Sequence, residues 1–315
     1  VDRFHIFSLL RAIHRCDLLI SGGGSLLQDR TSTKSIMYYL TVTNLAKFMK
    51  KKVMLYANGI GPVIKPANRR RVCAAVSRAD LITLRDENSV EELRSMGVNR
   101  DDMYVTADPV FTFDCLSKDR AAGLLQQEGI PDDRPFVGVS LRNWYNLPGF
   151  AEKIAVICDE IYRRYDRNIV FIVMQTPNDI KISRRVQELM ESPSYILPNR
   201  YSTDEIMGMV GCADFVISMR LHTLIFAAHM QVPTLGLVYD PKVKYHLKSL
   251  AMPSMGDVEA LDTEQALRCV EDMVKNRESY VRILAEKSEE LRKLACRNEE
   301  LLVELINREL AAREE

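Results

Sequence analysis

The sequence has little that would commit it to a nucleic acid, a metal or a lipid bilayer. Its 43 Lys and Arg are matched by 43 Asp and Glu, so no bulk field draws it to a polyanion and any anion binding must be local. No uninterrupted apolar run approaches the roughly 20 residues that span a bilayer, and the opening Val1-Asp2-Arg3-Phe4 does not read as a targeting segment. Seven cysteines stand singly, without a Cys-x-x-Cys pair, which argues against a disulfide framework or a zinc ribbon and fits a reducing compartment, hence the cytoplasm. His-Glu-x-x-His, Asp-x-Asp and Gly-x-Ser-x-Gly are absent too, so no metal site and no covalent nucleophile is expected.

What is present is an ordinary globular composition, 47% hydrophobic and 27% charged over 315 residues, with room for about two domains. Apolar runs alternate with amphipathic stretches. Strands are predicted at 17–20, 53–57, 81–84 and 103–106, with helices between them, and the 17–20 and 53–57 strands end at Gly22-Gly23-Gly24 and Asn58-Gly59. A polar segment at 129–135 is the predicted linker. The pattern then restarts, with strands at 136–141, 169–174, 195–197, 215–218 and 234–239. Two successive βα series predict an α/β protein with two Rossmann-like domains facing across a cleft, 1–128 and 135–260, followed by a helical segment 261–315 that ends in a long helix. Leu284, Leu291, Leu294, Leu301, Leu305 and Leu310 fall near one face of that helix, which predicts packing on the body of the protein.

Ligands of open parallel sheets bind beyond the carboxyl ends of the strands, and four such places carry suitable residues. Gly22, Gly23, Gly24 and Ser25 could turn backbone N–H groups toward an anion or a sugar oxygen, or could simply form a tight turn. Arg142 follows the 136–141 strand, where a guanidinium suits carboxylate or phosphate, with a surface salt bridge as the bland alternative. Arg220, Leu221 and His222 stand between an apolar strand and an apolar helix, placing a cation next to a group that titrates near neutrality. Lys242 and Lys244 follow the 234–239 strand and could extend the same cationic rim. His229, set among alanines within a predicted helix, reads as structural. The rim points to a small, multiply charged anion.

Taken together these residues resemble the polysaccharide pyruvyl transferase family, most closely the CsaB type that modifies bacterial secondary cell-wall polysaccharide. The resemblance rests on Ile20-Ser21-Gly22-Gly23-Gly24-Ser25-Leu26-Leu27-Gln28-Asp29, Tyr56-Ala57-Asn58-Gly59-Ile60-Gly61-Pro62, Leu84-Arg85-Asp86, Ala107-Asp108-Pro109 and Ser218-Met219-Arg220-Leu221-His222. The family's initial Asn-x-Gly-Asp segment has no counterpart in this sequence, so the start of the first domain is expected to be missing from it. The resemblance implies a GT-B-like fold with an acceptor-side first domain and a donor-side second one. It also implies phosphoenolpyruvate as donor substrate, no cofactor, and a ketal formed across two hydroxyls of a sugar such as N-acetylmannosamine on a lipid-linked precursor, with peripheral contact at the inner face of the membrane. It puts Arg220, Leu221 and His222 in the donor site, with His222 as general acid and base and Arg142 and a lysine as further donor ligands. The glycine segment, Ser25, Asn58 and Gly59 would face the acceptor or the cleft. The competing expectations are a nucleotide-sugar glycosyltransferase of the same architecture, disfavoured by Asp240-Pro241-Lys242 where such enzymes carry a Glu with a Gly/Ser loop, and a non-catalytic phosphosugar-binding module.

Overall fold

The apolar runs form two parallel sheets in a computed structural model that describes residues 6–30, 33–145 and 147–314. The chain divides into one unit of Val1–Thr112 with Glu290–Glu315 and another of Phe113–Glu289. In the first, α1 (Ile6–Arg15), β1 (Leu18–Leu27), α2 (Thr33–Phe48), β2 (Lys52–Ile60), α3 (Pro66–Val76), β3 (Leu81–Leu84), α4 (Glu87–Ser95) and β4 (Met103–Val105) follow one another, and the strands lie side by side in chain order.

That order has a consequence for the core. Right-handed crossovers that always step the same way put every connecting helix on one face of the sheet. Val53, Leu55, Ile82 and Leu84 pack there against Ile13, Ile36, Leu40, Val72 and Leu93. The alternate strand residues point the other way, as the two-residue period requires. Met54 and Leu81 are covered by Leu301 and Leu305 of the C-terminal helix, which is why the last residues belong to the first unit. Asn298, fully buried, fixes the join: its Oδ1 accepts from Thr106 Oγ1 at 2.9 Å and its Nδ2 donates to Ala107 O at 3.1 Å.

The second unit runs α5 (Lys118–Gln127), β5 (Phe136–Ser140), α6 (Phe150–Tyr165), β6 (Asn168–Ile172), α7 (Asn178–Leu189), β7 (Ser194–Leu197), α8 (Thr203–Val210), β8 (Phe215–Ser218), α9 (Leu221–His229), β9 (Thr234–Val238), α10 (Pro241–Ser249), β10 (Ser254–Asp257) and α11 (Thr263–Lys275). Its six parallel strands are ordered β10-β9-β8-β5-β6-β7. The chain winds outward from β5 in one direction and returns at β8 to wind outward in the other, so the order reverses between β5 and β8. Helix α12 (Arg277–Glu314) closes the chain.

Several expectations change. Gly22, Gly23 and Gly24 are not a loop after a short strand: β1 continues to Leu27, with Gly22 paired to Tyr56 and Gly24 to Asn58. Asn58 and Gly59 likewise lie inside β2. The glycines let β1 run on, because the backbone reaches φ 116° at Gly24, a region a side chain would oppose. As an edge strand β1 is also only half-buried, with Ile20 47% exposed. The units part near residue 113 and not at 129–135: α5 packs on α8, where a Cβ on Gly208 would meet the Leu116 carbonyl oxygen at 2.9 Å. The helical segment 261–315 is divided between the units at residue 290. Its buried line runs through Leu284, Ser288, Ala295, Asn298, Leu301 and Leu305, leaving Leu294 and Leu310 exposed. Small and amide side chains take the closest approaches there, a role leucine spacing alone does not reveal.

Candidate functional site

The point where strand order reverses is where an open α/β sheet leaves a crevice at its carboxyl edge, and in the second unit it is flanked by the two predicted arginines. Ser140 of β5 and Ser218 of β8 are register partners, so Arg142 and Arg220 each stand two residues beyond the same level of the sheet. Buried hydroxyls tie that level together: Thr223 Oγ1 donates to Ser140 Oγ at 3.0 Å, and Ser218 Oγ donates to the Arg220 carbonyl at 3.0 Å. The Met219 N–H donates to Ser140 O at 2.9 Å.

The two guanidinium groups are held differently. Arg142 lies against aromatic rings, its guanidinium carbon 5.5 Å from the Trp144 ring centre and 5.3 Å from that of Tyr239. Its Nη1 donates to Tyr239 Oη at 3.2 Å, and no carboxylate pairs with it among the described residues. Cation–π contacts contribute about 0.5–2 kcal/mol each without neutralising the charge. A pocket of about 250 Å³ opens beside Arg142, bounded by Trp144, Leu147, Phe150, Ile182 and the ion-paired Glu152 and Arg185. Arg220, only 15% exposed, instead pairs with Asp179 of α7, itself 1% exposed. Its Nη2 also donates to Gln175 Oε1 at 3.1 Å.

His222 is exposed in the first turn of α9, its ring centre 6.3 Å from that of Phe226 one turn on. Leu221 turns its side chain into the core, so only its backbone faces outward. His229 is half-buried at the far end of the same helix, and burial pushes its pKa down against a raising hydrogen bond with the Phe113 backbone, in keeping with a structural part. Lys242 and Lys244 stand on α10 and not in a loop. Asp240 caps that helix by accepting from the Lys242 N–H at 3.1 Å. Lys242 is half-buried and Lys244 exposed.

In the first unit Ser25, Asn58 and Gly59 meet Arg85, a residue quoted in the family resemblance but given no site role there. It donates to Ser25 Oγ at 2.9 Å and meets Asp108 and Asp86 at 3.4 Å each, with a side chain only 6% exposed. Gly59 is required here: a Cβ would come within 2.6 Å of the guanidinium nitrogens. Next to it Ala57 adopts φ 45°, unfavourable for a side-chain-bearing residue, where β2 shifts register against β3. A hydrogen bond from the Ala57 N–H to Thr83 Oγ1 at 2.7 Å holds the kink. Buried Asn58 donates to Ser21 O at 2.6 Å, and among the described residues its Oδ1 has no hydrogen-bond partner. Asp29 is structural: burial would raise its pKa, but hydrogen bonds from the Ile64 N–H, the Asn68 amide and the Lys65 N–H hold it below its ordinary value.

Asp179 and Gln175 are residues that sequence reasoning missed, and Arg85 stood in the quoted motif without a site role. Each follows a strand at the carboxyl edge, which was the available signal. Among the described residues no group of three His, Cys, Asp or Glu could hold a metal ion, and no helix is long and apolar enough to cross a membrane.

No curated protein matches the chain by sequence. Solved structures do match by fold. HepE from Anabaena, in complex with UDP and glucose, superposes with a TM-score of 0.64 at 13% identity, covering 96% of this chain and 80% of that one. The UDP-GlcNAc 2-epimerase of Neisseria meningitidis bound to UDP-GlcNAc gives 0.63 at 12% identity, over 95% and 80%. MnaA of S. aureus with UDP gives 0.64 at 13% identity, over 89% and 73%. At such identities the likeness concerns the fold, which is that of GT-B-like sugar enzymes. Residues 2–241 match the family model described as polysaccharide pyruvyl transferase, a stretch that takes in both strand-end clusters, and the chain therefore belongs to the polysaccharide pyruvyl transferase family.

Proposed function

We propose that this transferase moves the enolpyruvyl unit of phosphoenolpyruvate onto two hydroxyls of a saccharide, releasing phosphate. The observation that carries this reading is the charge at the switch point of the second sheet. Among the described residues Arg142 has no carboxylate partner; it stands beside a pocket, and Arg220 lies one strand away at the same level. Phosphoenolpyruvate brings a carboxylate and a phosphate, and planar guanidinium groups suit both. Lys242, half-buried on α10, adds a third cation, and exposed Lys244 is the weaker choice.

In this mechanism His222 gives a proton to the methylene carbon, leaving an oxocarbenium-like centre at the neighbouring carbon for the first sugar hydroxyl to attack. Phosphate then departs with its C–O bond and takes up one hydroxyl proton, while the second hydroxyl closes the ketal and its proton returns to His222. Gly22, Gly23, Gly24, Ser25, Asn58 and Gly59 belong on this reading to the acceptor side. Of these, Ser25 is the most direct candidate, because its hydroxyl is held by Arg85. The acceptor is an N-acetylmannosamine of a lipid-linked cell-wall precursor, in the manner of the CsaB type that serves secondary cell-wall polysaccharide and S-layer anchoring. It would be met by a cytoplasmic protein in peripheral contact with the inner face of the membrane, without any cofactor.

Incubation with phosphoenolpyruvate and a synthetic lipid-like acceptor, with phosphate release and product mass followed together, tests the reading. A ketal-bearing product with one phosphate per turnover is expected. Because the fold is shared with proteins solved with UDP or UDP-sugars, a UDP-sugar arm belongs in the same assay, and transfer of its sugar without use of phosphoenolpyruvate would replace this reading. Binding of phosphoenolpyruvate without any phosphate release would leave only a binding module.

A further inference from the structure

Arg220 leaves the sheet after β8, yet its carboxylate partner comes from the connection after β6. Those strands are not neighbours, since β5 lies between them. The arginine side chain therefore spans the carboxyl end of β5, and its guanidinium is fixed on the far side of the strand from which Arg142 emerges. Without an anchor there, a long side chain with four rotatable bonds would spend most of its time elsewhere, and ordering it would fall to the ligand.

The anchor is built for geometry. Asp179 and Gln175 brace each other: the Gln175 N–H donates to Asp179 Oδ2 at 2.9 Å, and the Asp179 N–H donates to Gln175 O at 3.0 Å. Asp179 Oδ1 and Gln175 Oε1 then accept from the same guanidinium nitrogen, Nη2. The guanidinium is not saturated by this arrangement, because among the described residues its buried Nε–H has no hydrogen-bond partner. We infer that Asp179, with Gln175 behind it, is a positioning residue for the donor site: it aims Arg220 across the end of β5 so that the remaining N–H groups meet the donor's anionic oxygens. This role rests on the reading of Arg220 as a phosphoenolpyruvate ligand.

The inference has a sign that charge alone would reverse. A carboxylate beside an anion site repels the anion, so if Asp179 acted only through its charge, removing it would tighten phosphoenolpyruvate binding. Positioning demands the opposite. Calorimetric titration of the full chain with phosphoenolpyruvate should show Asp179→Ala weakening binding by about tenfold, and Asp179→Asn, which keeps one acceptor oxygen, by less. In an Arg220→Ala background, Asp179→Ala should add less than about twofold, because there is nothing left to aim. Gln175→Ala removes only the second acceptor and leaves the buried carboxylate in place, so it serves if Asp179→Ala does not fold; it should weaken binding by about threefold. Tighter binding in Asp179→Ala, or an equal loss with and without Arg220, overturns the positioning role while leaving the donor assignment intact. A wild-type chain that binds no phosphoenolpyruvate overturns both together.

Discussion

Each unit carries a half-buried arginine just past the carboxyl end of an inner strand, Arg85 after β3 and Arg220 after β8, but the company they keep differs. In the first unit one guanidinium faces two carboxylates, Asp86 and Asp108, and a serine hydroxyl. In the second, among the described residues Asp179 pairs with Arg220 alone, while Arg142 rests on aromatic rings. Topology differs in the same sense. The four strands of the first sheet step in one direction, whereas the second reverses between β5 and β8. An arginine held between two carboxylates and a hydroxyl is a fastener, and on the proposed function a pair of arginines with one carboxylate at a reversal point is a place for an anion. On the same reading, this difference gives charge recognition to the second unit and contacts with hydroxyls to the first.

The largest test of that contrast is His222→Ala. It should lower phosphate release by about 10²–10⁴-fold, as for loss of a general acid, while calorimetric affinity for phosphoenolpyruvate stays within about twofold of wild type. Near-normal turnover would remove His222 from the chemistry. Next comes the pair Arg142→Ala and Arg85→Ala. The first should weaken phosphoenolpyruvate binding by about 1.5–3 kcal/mol, the worth of hydrogen bonds to a charged group, with little change in denaturant midpoint. The second should do the reverse, costing about 1–3 kcal/mol of stability by leaving half-buried Asp108 and the Ser25 hydroxyl without their donor and sparing affinity; an Arg85→Ala chain that folds but no longer binds the donor breaks the comparison. Gly59→Ala asks the same of the fastener more gently. The added methyl must push the guanidinium aside, so about 1–3 kcal/mol of stability should go, read as a lower melting temperature with donor affinity kept. Smallest is Tyr239→Phe, which keeps the ring under Arg142 and removes one hydroxyl: about 0.5–1.5 kcal/mol in donor affinity is expected, and no change at all would mean that the ring alone holds the arginine.

Local sequence carried much of this. The strand at 215–218 and the helix at 150–165 were readable because period and punctuation agree there, and Arg142, Arg220 and His222 stand at strand ends where an anion site was expected. The glycines at 22–24 and Asn58-Gly59 misled because glycine usually stops a strand. Here Gly24 lets β1 run on at a positive φ, and Gly59 makes room for an arginine 60 residues from the serine it holds. Asp179 was invisible for a related reason: its partner is 41 residues away and two strands over, and nothing local marks an aspartate at a helix start as more than a cap.

The covering of Met54 and Leu81 by Leu301 and Leu305 also sets a timetable. A ribosome makes β1 to β4 first, but one face of that sheet stays bare until residues beyond 290 have emerged. The second unit, complete at residue 289, can close before then. The half that begins the chain is thus the last to finish, and while it waits it shows an apolar surface of the kind chaperones hold.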